Sequence, residues 1–194
     1  MTGGYDAIVL AGGRSSRLSG QHKPQLQVGD ATMVEWVLSA VQQAGARIVV
    51  GPPQPLPDGV LLVQEQPAGS GPVAGLAAGV VLTSAEVVMV VAADLPFLTA
   101  EVVEALVAAL GDEADVALLV DENGRDQYLL GAWRAASLRR ALDKLGPLPG
   151  RAMSEVVRAL RVARVELTSP TEAPPPWTDV DTPADLARAR REWS

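Results

Sequence analysis

The chain has no cysteine and one histidine, His22. The first absence excludes disulfides, thiolate metal sites and a cysteine nucleophile together, and it suits a reducing, cytoplasmic setting. The second leaves a histidine-ligated metal centre and a Ser-His-Asp triad poorly supported, and His22, between Gln21 and Lys23, reads as a loop residue. Aromatics make up only 4%, so Val, Leu and Ala must fill the core of a chain that is 48% hydrophobic. The N-terminus shows no basic stretch leading into a long apolar one, so neither a secretory leader nor a membrane helix is expected. Positive charge is also short. A formal net charge of −7 disfavours nucleic acid and anionic membranes as partners and makes a small-molecule ligand easier to justify. At 194 residues, with no internal repeat and no dividing linker, residues 1–194 read as one domain, expected as a monomer or weak oligomer.

What is present is an alternation of short apolar runs and helical patterns. Strands are expected over 5–10, 48–50, 60–63, 86–93, 115–120, 127–133 and 162–167. Helices are expected over 33–44, from Pro72 onward, from a Thr99 cap to Leu110, over 135–144 and 154–161, and from a Thr182 cap through Trp193. The run Val87 to Val91 is apolar on both faces, as a central parallel strand requires. The order predicts a three-layer α/β/α sandwich. Gly71, Gly75 and Gly79 recur along one face of the Pro72 helix. An interior glycine costs about 1 kcal/mol of helix propensity, so a strand or a ligand should approach that backbone closely.

Four segments carry candidate chemistry. Leu10-Ala11-Gly12-Gly13-Arg14-Ser15-Ser16-Arg17, followed by Lys23, is a glycine turn after a strand in which three cations gather in an otherwise acidic chain. Backbone N–H groups there can approach an anion, and a triphosphate needs such a concentration of charge. The segment matches neither the G-x-x-x-x-G-K-[ST] nor the G-x-G-x-x-G pattern. Asp94, just past the central strand, stands where open α/β sheets place ligands and can hold Mg²⁺ through oxygen. Glu65, ahead of Gly71, can accept from a ribose hydroxyl or a base, or be a solvated loop carboxylate. Asp179 and Asp181 are left unexplained by the Thr182/Asp185 capping box that follows them, and either can reach a metal or an acceptor. Nucleotidyl transfer needs neither cysteine nor histidine, because an acceptor phosphate is already an anionic nucleophile.

Taken together, LAGGRSSRLSG, EQPAGSGPVAGLAAG, VVAADLPFL, NGRDQYLLGAWR, GRAMSEVV and DVDTPADLARAR resemble the MobA-like nucleotidyltransferase family, which includes molybdenum cofactor guanylyltransferase. The resemblance spans nearly the whole chain. It implies a Rossmann-like, mostly parallel sheet with one antiparallel strand, and Mg²⁺-dependent transfer of GMP from GTP to Mo-molybdopterin. It places Leu10, Ala11, Gly12, Gly13, Glu65 and Gly71 on the nucleotide, Lys23 on its phosphates, Asp94 on the Mg²⁺ and Arg17 on the departing pyrophosphate. Arg17, Lys23 and Asp94 are thereby the catalytic candidates. Residues 125–128, Arg151 and Asp179 to Asp181 would face the acceptor, with Asp181 a possible second metal ligand. The chain departs from the family pattern at His22, Ser19 and Gly51, where aspartate, glycine and asparagine are usual, and at DVDTP in place of NVNTP. The aspartates are shared with relatives that use CTP. A cytidylyl- or guanylyltransferase for another phosphorylated cofactor or sugar, and a non-catalytic nucleotide-binding module, are the two rival readings.

Overall fold

The computed structural model describes residues 4–12, 17–18, 20–168 and 173–193, with Arg17 given by its backbone. The chain opens with β1 (Tyr5–Leu10), followed by two small hairpins, β2 (Arg17–Leu18) with β3 (Gln21–His22) and β4 (Gln27–Val28) with β5 (Ala31–Thr32). A 3₁₀ turn at Lys23–Gln25 separates them. Then come α1 (Met33–Ala40), β6 (Arg47–Val50), β7 (Val60–Val63), α2 (Pro72–Val80), β8 (Val87–Ala92), α3 (Ala100–Ala109), β9 (Val116–Val120) and β10 (Asp126–Arg134). The chain finishes with α4 (Ala135–Lys144), α5 (Met153–Val157), β11 (Val162–Glu166) and α6 (Pro183–Glu192).

Seven strands form one sheet in the order β11-β9-β10-β8-β1-β6-β7, and every pairing is parallel except the two made by β10. Successive residues of a strand point to opposite faces, and the packing follows that period. Ala7, Val9, Met89 and Val91 face a cluster built with α1 and α3, while Ile8, Val88 and Val90 face one built with α2, α4 and α5. Both faces of the sheet are therefore covered, which is the three-layer arrangement expected from the apolar runs. Each buried Val, Leu or Ile contributes about 1.5–3 kcal/mol relative to exposure. Among the described residues, no helix is long and apolar enough to cross a membrane.

The glycine face of α2 has its explanation in this packing. A Cβ at Gly79 would lie 2.9 Å from Ile8 Cγ2 and 3.0 Å from Val50 Cγ2, so the helix backbone rests directly on β1 and β6. Gly71, at φ +96°, is the residue from which Pro72 starts the helix, in a backbone region where L side chains are strained.

Two helices end earlier than their sequence patterns. The pattern from Met33 continues to Ala44, but α1 stops at Ala40 and the chain turns through Gln42 N–H to Ser39 O and Ala44 N–H to Val41 O. Gly45 N–H then bonds Tyr5 O at 2.8 Å, which draws the chain into line for β6. The helix expected to reach Arg161 stops at Val157. Arg161 is taken by Asp115, whose Oδ2 accepts its N–H at 3.0 Å and whose own N–H donates to Arg161 O at 2.8 Å, starting β11. Thr99 occupies the N-cap position of α3 without a side-chain cap bond, whereas Thr182 and Asp185 form the expected capping box of α6.

Candidate active site

The strand order reverses beside β1. The chain crosses through α1 to β6 on one side of it and returns through α2 to β8 on the other. A crevice opens at such a switch point outside the carboxyl ends of the strands. Leu10 and Ala92 are register partners at those ends, and the ladder is prolonged by Ala11 N–H to Val50 O at 2.7 Å and Ala93 N–H to Leu10 O at 3.0 Å.

Two cavities share this crevice. The first, about 290 Å³, is lined by Leu10, Ala11, Gly12, Lys23, Glu65, Gly71, Asp94 and Leu129, among others. The second, about 480 Å³, is lined by Asp94, Gln127, Tyr128, Leu129, Asp179 and Asp181, among others. Asp94 and Leu129 border both.

Lys23 is the hinge of the arrangement. Pro24 holds it in the 3₁₀ turn, and only 4% of the residue is exposed. Its Nζ donates to Asp94 Oδ2 at 2.8 Å and to Asp181 Oδ1 at 2.5 Å. Burial alone would lower the pKa of the ammonium, but the Asp94 charge and the bonds to Asp181 and Asp94 outweigh it, and the pKa is raised. Asp179 is pushed up from the ordinary carboxylate range by burial first, then by the charges of Asp181 and Asp94. The segment carrying these acids is fixed to the end of β8 by Val180 N–H to Asp94 O at 3.1 Å, with Val180 buried.

Glu65 is no solvated loop carboxylate. It is 6% exposed, its Oε1 accepts from Gly69 N–H at 2.8 Å, and Oε2 lies toward Gly75 at the wall of the first cavity. Gly51 is explained by crowding. A Cβ there would stand 2.9 Å from both the carbonyl carbon and the carbonyl oxygen of Ala11, so a side chain would push the Ala11-Gly12 backbone out of place.

The structure thus brings together Leu10, Ala11, Gly12, Lys23, Glu65, Gly71 and Asp94 around one cavity, and Asp179 and Asp181 around its neighbour. Gly13 and the side chain of Arg17 lie outside the described residues. Arg151 is engaged by Glu155 at 2.8 Å and by the carbonyls of Pro147 and Leu145. Asp94 and Asp181 each turn a carboxylate oxygen to the one ammonium of Lys23, and among the described residues no group of three or more acidic or imidazole side chains could hold a metal.

Sequence reasoning missed how β10 shapes the second cavity. Gln127 pairs with Leu119 but Gly131 with Leu118, so residues 128–130 bulge out of the β9 ladder and carry Tyr128 and Leu129 to the crevice. The signal was Gly131 within an apolar strand, where a Cβ would come within 2.7 Å of Ala117 O. Asp126 at the start of β10 is held by a bidentate bond from Arg164 of β11, at 2.8 and 3.0 Å.

The family described as the MobA-like NTP transferase domain matches residues 7–165. The chain belongs to that family. A molybdenum cofactor guanylyltransferase of Rhodobacter capsulatus is 31% identical over 190 residues, covering 94% of this chain and 93% of that one. Molybdopterin-guanine dinucleotide biosynthesis protein A of Archaeoglobus fulgidus shares the fold at TM-score 0.73 and 20% identity, over 96% of this chain and 97% of that one. The 2-C-methyl-D-erythritol 4-phosphate cytidylyltransferase of Thermus thermophilus does so at TM-score 0.71 and 21% identity, over 95% and 96%. The matched span of this MobA-like NTP transferase runs from β1 to β11, and so takes in Lys23, Glu65 and Asp94 while stopping short of Asp179 and Asp181.

Proposed function

We propose that this nucleotidyltransferase moves GMP from Mg·GTP to the terminal phosphate of Mo-molybdopterin, releasing pyrophosphate and leaving the guanine dinucleotide form of the cofactor. The observation that carries the reading is the bond of Lys23, which lines the first cavity, to Asp94, which lines both of the adjoining cavities; we assign the first to the donor and the second to the acceptor. The name of the Rhodobacter capsulatus relative, similar over nearly the whole chain, supports the choice of base and acceptor.

In this reading the backbone of Leu10 to Gly12 holds the nucleotide, Glu65 and Gly71 flank the nucleoside, and the ammonium of Lys23 faces the phosphates. Arg17 neutralises the leaving pyrophosphate. Asp94, with Asp181 as second ligand, would hold Mg²⁺, and the fit rests on oxygen-only donors close enough to share one ammonium. Bound there, Mg²⁺ would offset negative charge on the phosphates. The acceptor sits against Asp179, Asp181 and the β10 bulge. An acceptor phosphate oxygen attacks the α-phosphorus, the bond from that phosphorus to the bridging oxygen of the β-phosphate breaks, and the electron pair leaves with pyrophosphate. The attacking phosphate is already ionised, so no general base is required. The work of the protein is positioning and charge stabilisation.

The deciding experiment measures pyrophosphate release with molybdopterin and each of the four nucleoside triphosphates. GTP should be preferred. A preference for CTP, or turnover only with a sugar phosphate, removes the guanylyl assignment, and calorimetric binding of Mg·GTP without any pyrophosphate release removes catalysis.

A further inference from the structure

The ammonium of Lys23 occupies the two carboxylates that the proposed function gives to Mg²⁺. It lies 2.8 Å from an oxygen of Asp94 and 2.5 Å from one of Asp181. The side chains of these acids are 26% and 59% exposed, whereas that of Lys23 is 5% exposed, so an ion from solvent meets the acids with the ammonium already behind them. A divalent cation arriving alone must share those oxygens with a fixed positive charge. A triphosphate changes the balance, because Lys23 also lines the donor cavity and the anion offers it a second set of oxygens.

We propose that Lys23 is a metal-excluding latch. The site rejects a free divalent cation and accepts it only in company with a triphosphate, which draws the ammonium off Asp94 and Asp181. The substrate is then the metal-triphosphate complex, with no metal bound beforehand. This rests on the reading of the two aspartates as metal ligands.

The test is a Mn²⁺ titration of the full chain followed by electron paramagnetic resonance, with and without GTP and in the absence of acceptor. Without GTP, the wild-type chain should take Mn²⁺ at least about ten-fold more weakly than Lys23→Met, which unmasks the acids. Lys23→Arg, which keeps the charge, should behave as wild type, and Asp94→Asn in the Lys23→Met background should lose the gained site. Equal Mn²⁺ affinity of nucleotide-free wild type and Lys23→Met overturns the latch while leaving the metal site standing. The wild-type chain decides by itself as well: free Mn²⁺ bound as tightly without GTP as with it overturns the latch. Failure of every form to bind Mn²⁺ beyond what GTP alone binds overturns the metal reading and the latch with it.

Discussion

Two aspartates of nearly opposite purpose show what single residues do here. Asp94 stands beyond the end of β8, partly exposed, and spends its carboxylate on the crevice. Asp94→Ala should lower turnover by about 100-fold or more, the scale seen when one preorganised electrostatic group is removed, while the far-UV circular dichroism stays that of the wild type. Normal turnover in that variant would sink the catalytic assignment. Asp6 is 3% exposed inside β1 and accepts from the N–H groups of Ala46, Ser84 and Ala85 at 2.7–2.9 Å, so one carboxylate ties the approaches to β6 and β8 onto the first strand. Asp6→Asn exchanges an acceptor for a donor beside those N–H groups. It should cost about 1–3 kcal/mol in urea denaturation, because hydrogen bonds to a charged acceptor are lost at a buried side chain. The two acids were not equally legible. Asp94 closes an apolar strand and draws notice, while Asp6 hides within an apolar run and reads as part of it.

Among the elements, legibility followed periodicity. β1, β7 and α4 begin and end where their apolar patterns do, and α6 starts at its capping box, because those segments carry both a repeat and a boundary residue. The hairpins β2-β3 and β4-β5 have two-residue strands, too short for any period to show. The bulge in β10 depends on a partner strand that no local pattern reveals. The crevice was legible in its parts, while the pairing of Lys23 with both Asp94 and Asp181, residues far apart along the chain, was not. The glycines of α2 make a quantitative test of packing. Gly79→Ala gains helix propensity of about 1 kcal/mol but forces a methyl against Ile8 and Val50, and overpacking of about 1–3 kcal/mol should leave a net loss of stability. Gly75→Ala meets Val50 Cγ1 at 3.4 Å and Leu10 Cδ2 at 3.5 Å, ordinary contacts, so its melting temperature should stay level or rise. The two variants behaving alike would refute this account.

For the molecule as a whole, acid should loosen the fold from the end of the sheet where β11 pairs with β9. The hydrogen bond from Arg161 holds the Asp115 carboxyl well below the usual carboxylate range, with a further bond from Ser137. A carboxyl whose folded pKa is depressed contributes stability that is present above its unfolded value and lost as pH falls toward the folded one. The unfolded value is near 3.8, so the loss should set in around there and grow on further acidification. Asp115→Asn should be less stable at neutral pH and should show a flatter stability profile between about pH 5 and pH 2, read from denaturation midpoints. An unchanged profile would remove Asp115 from the account.

Helix α6 is pinned to α1 and to the β4-β5 hairpin. Its C-cap Trp193 stacks on Trp36 of α1 with ring centroids 3.7 Å apart and planes 22° apart, and Arg190 Nε bonds Gln27 O at 2.9 Å. Two indoles so close couple their electronic transitions, and the aromatic ultraviolet region should carry a paired signal that vanishes when they separate. Asp181 lies just ahead of this helix, so the molecule contains its own optical gauge of whether the segment that completes the crevice is docked, readable without any label while the sheet remains intact.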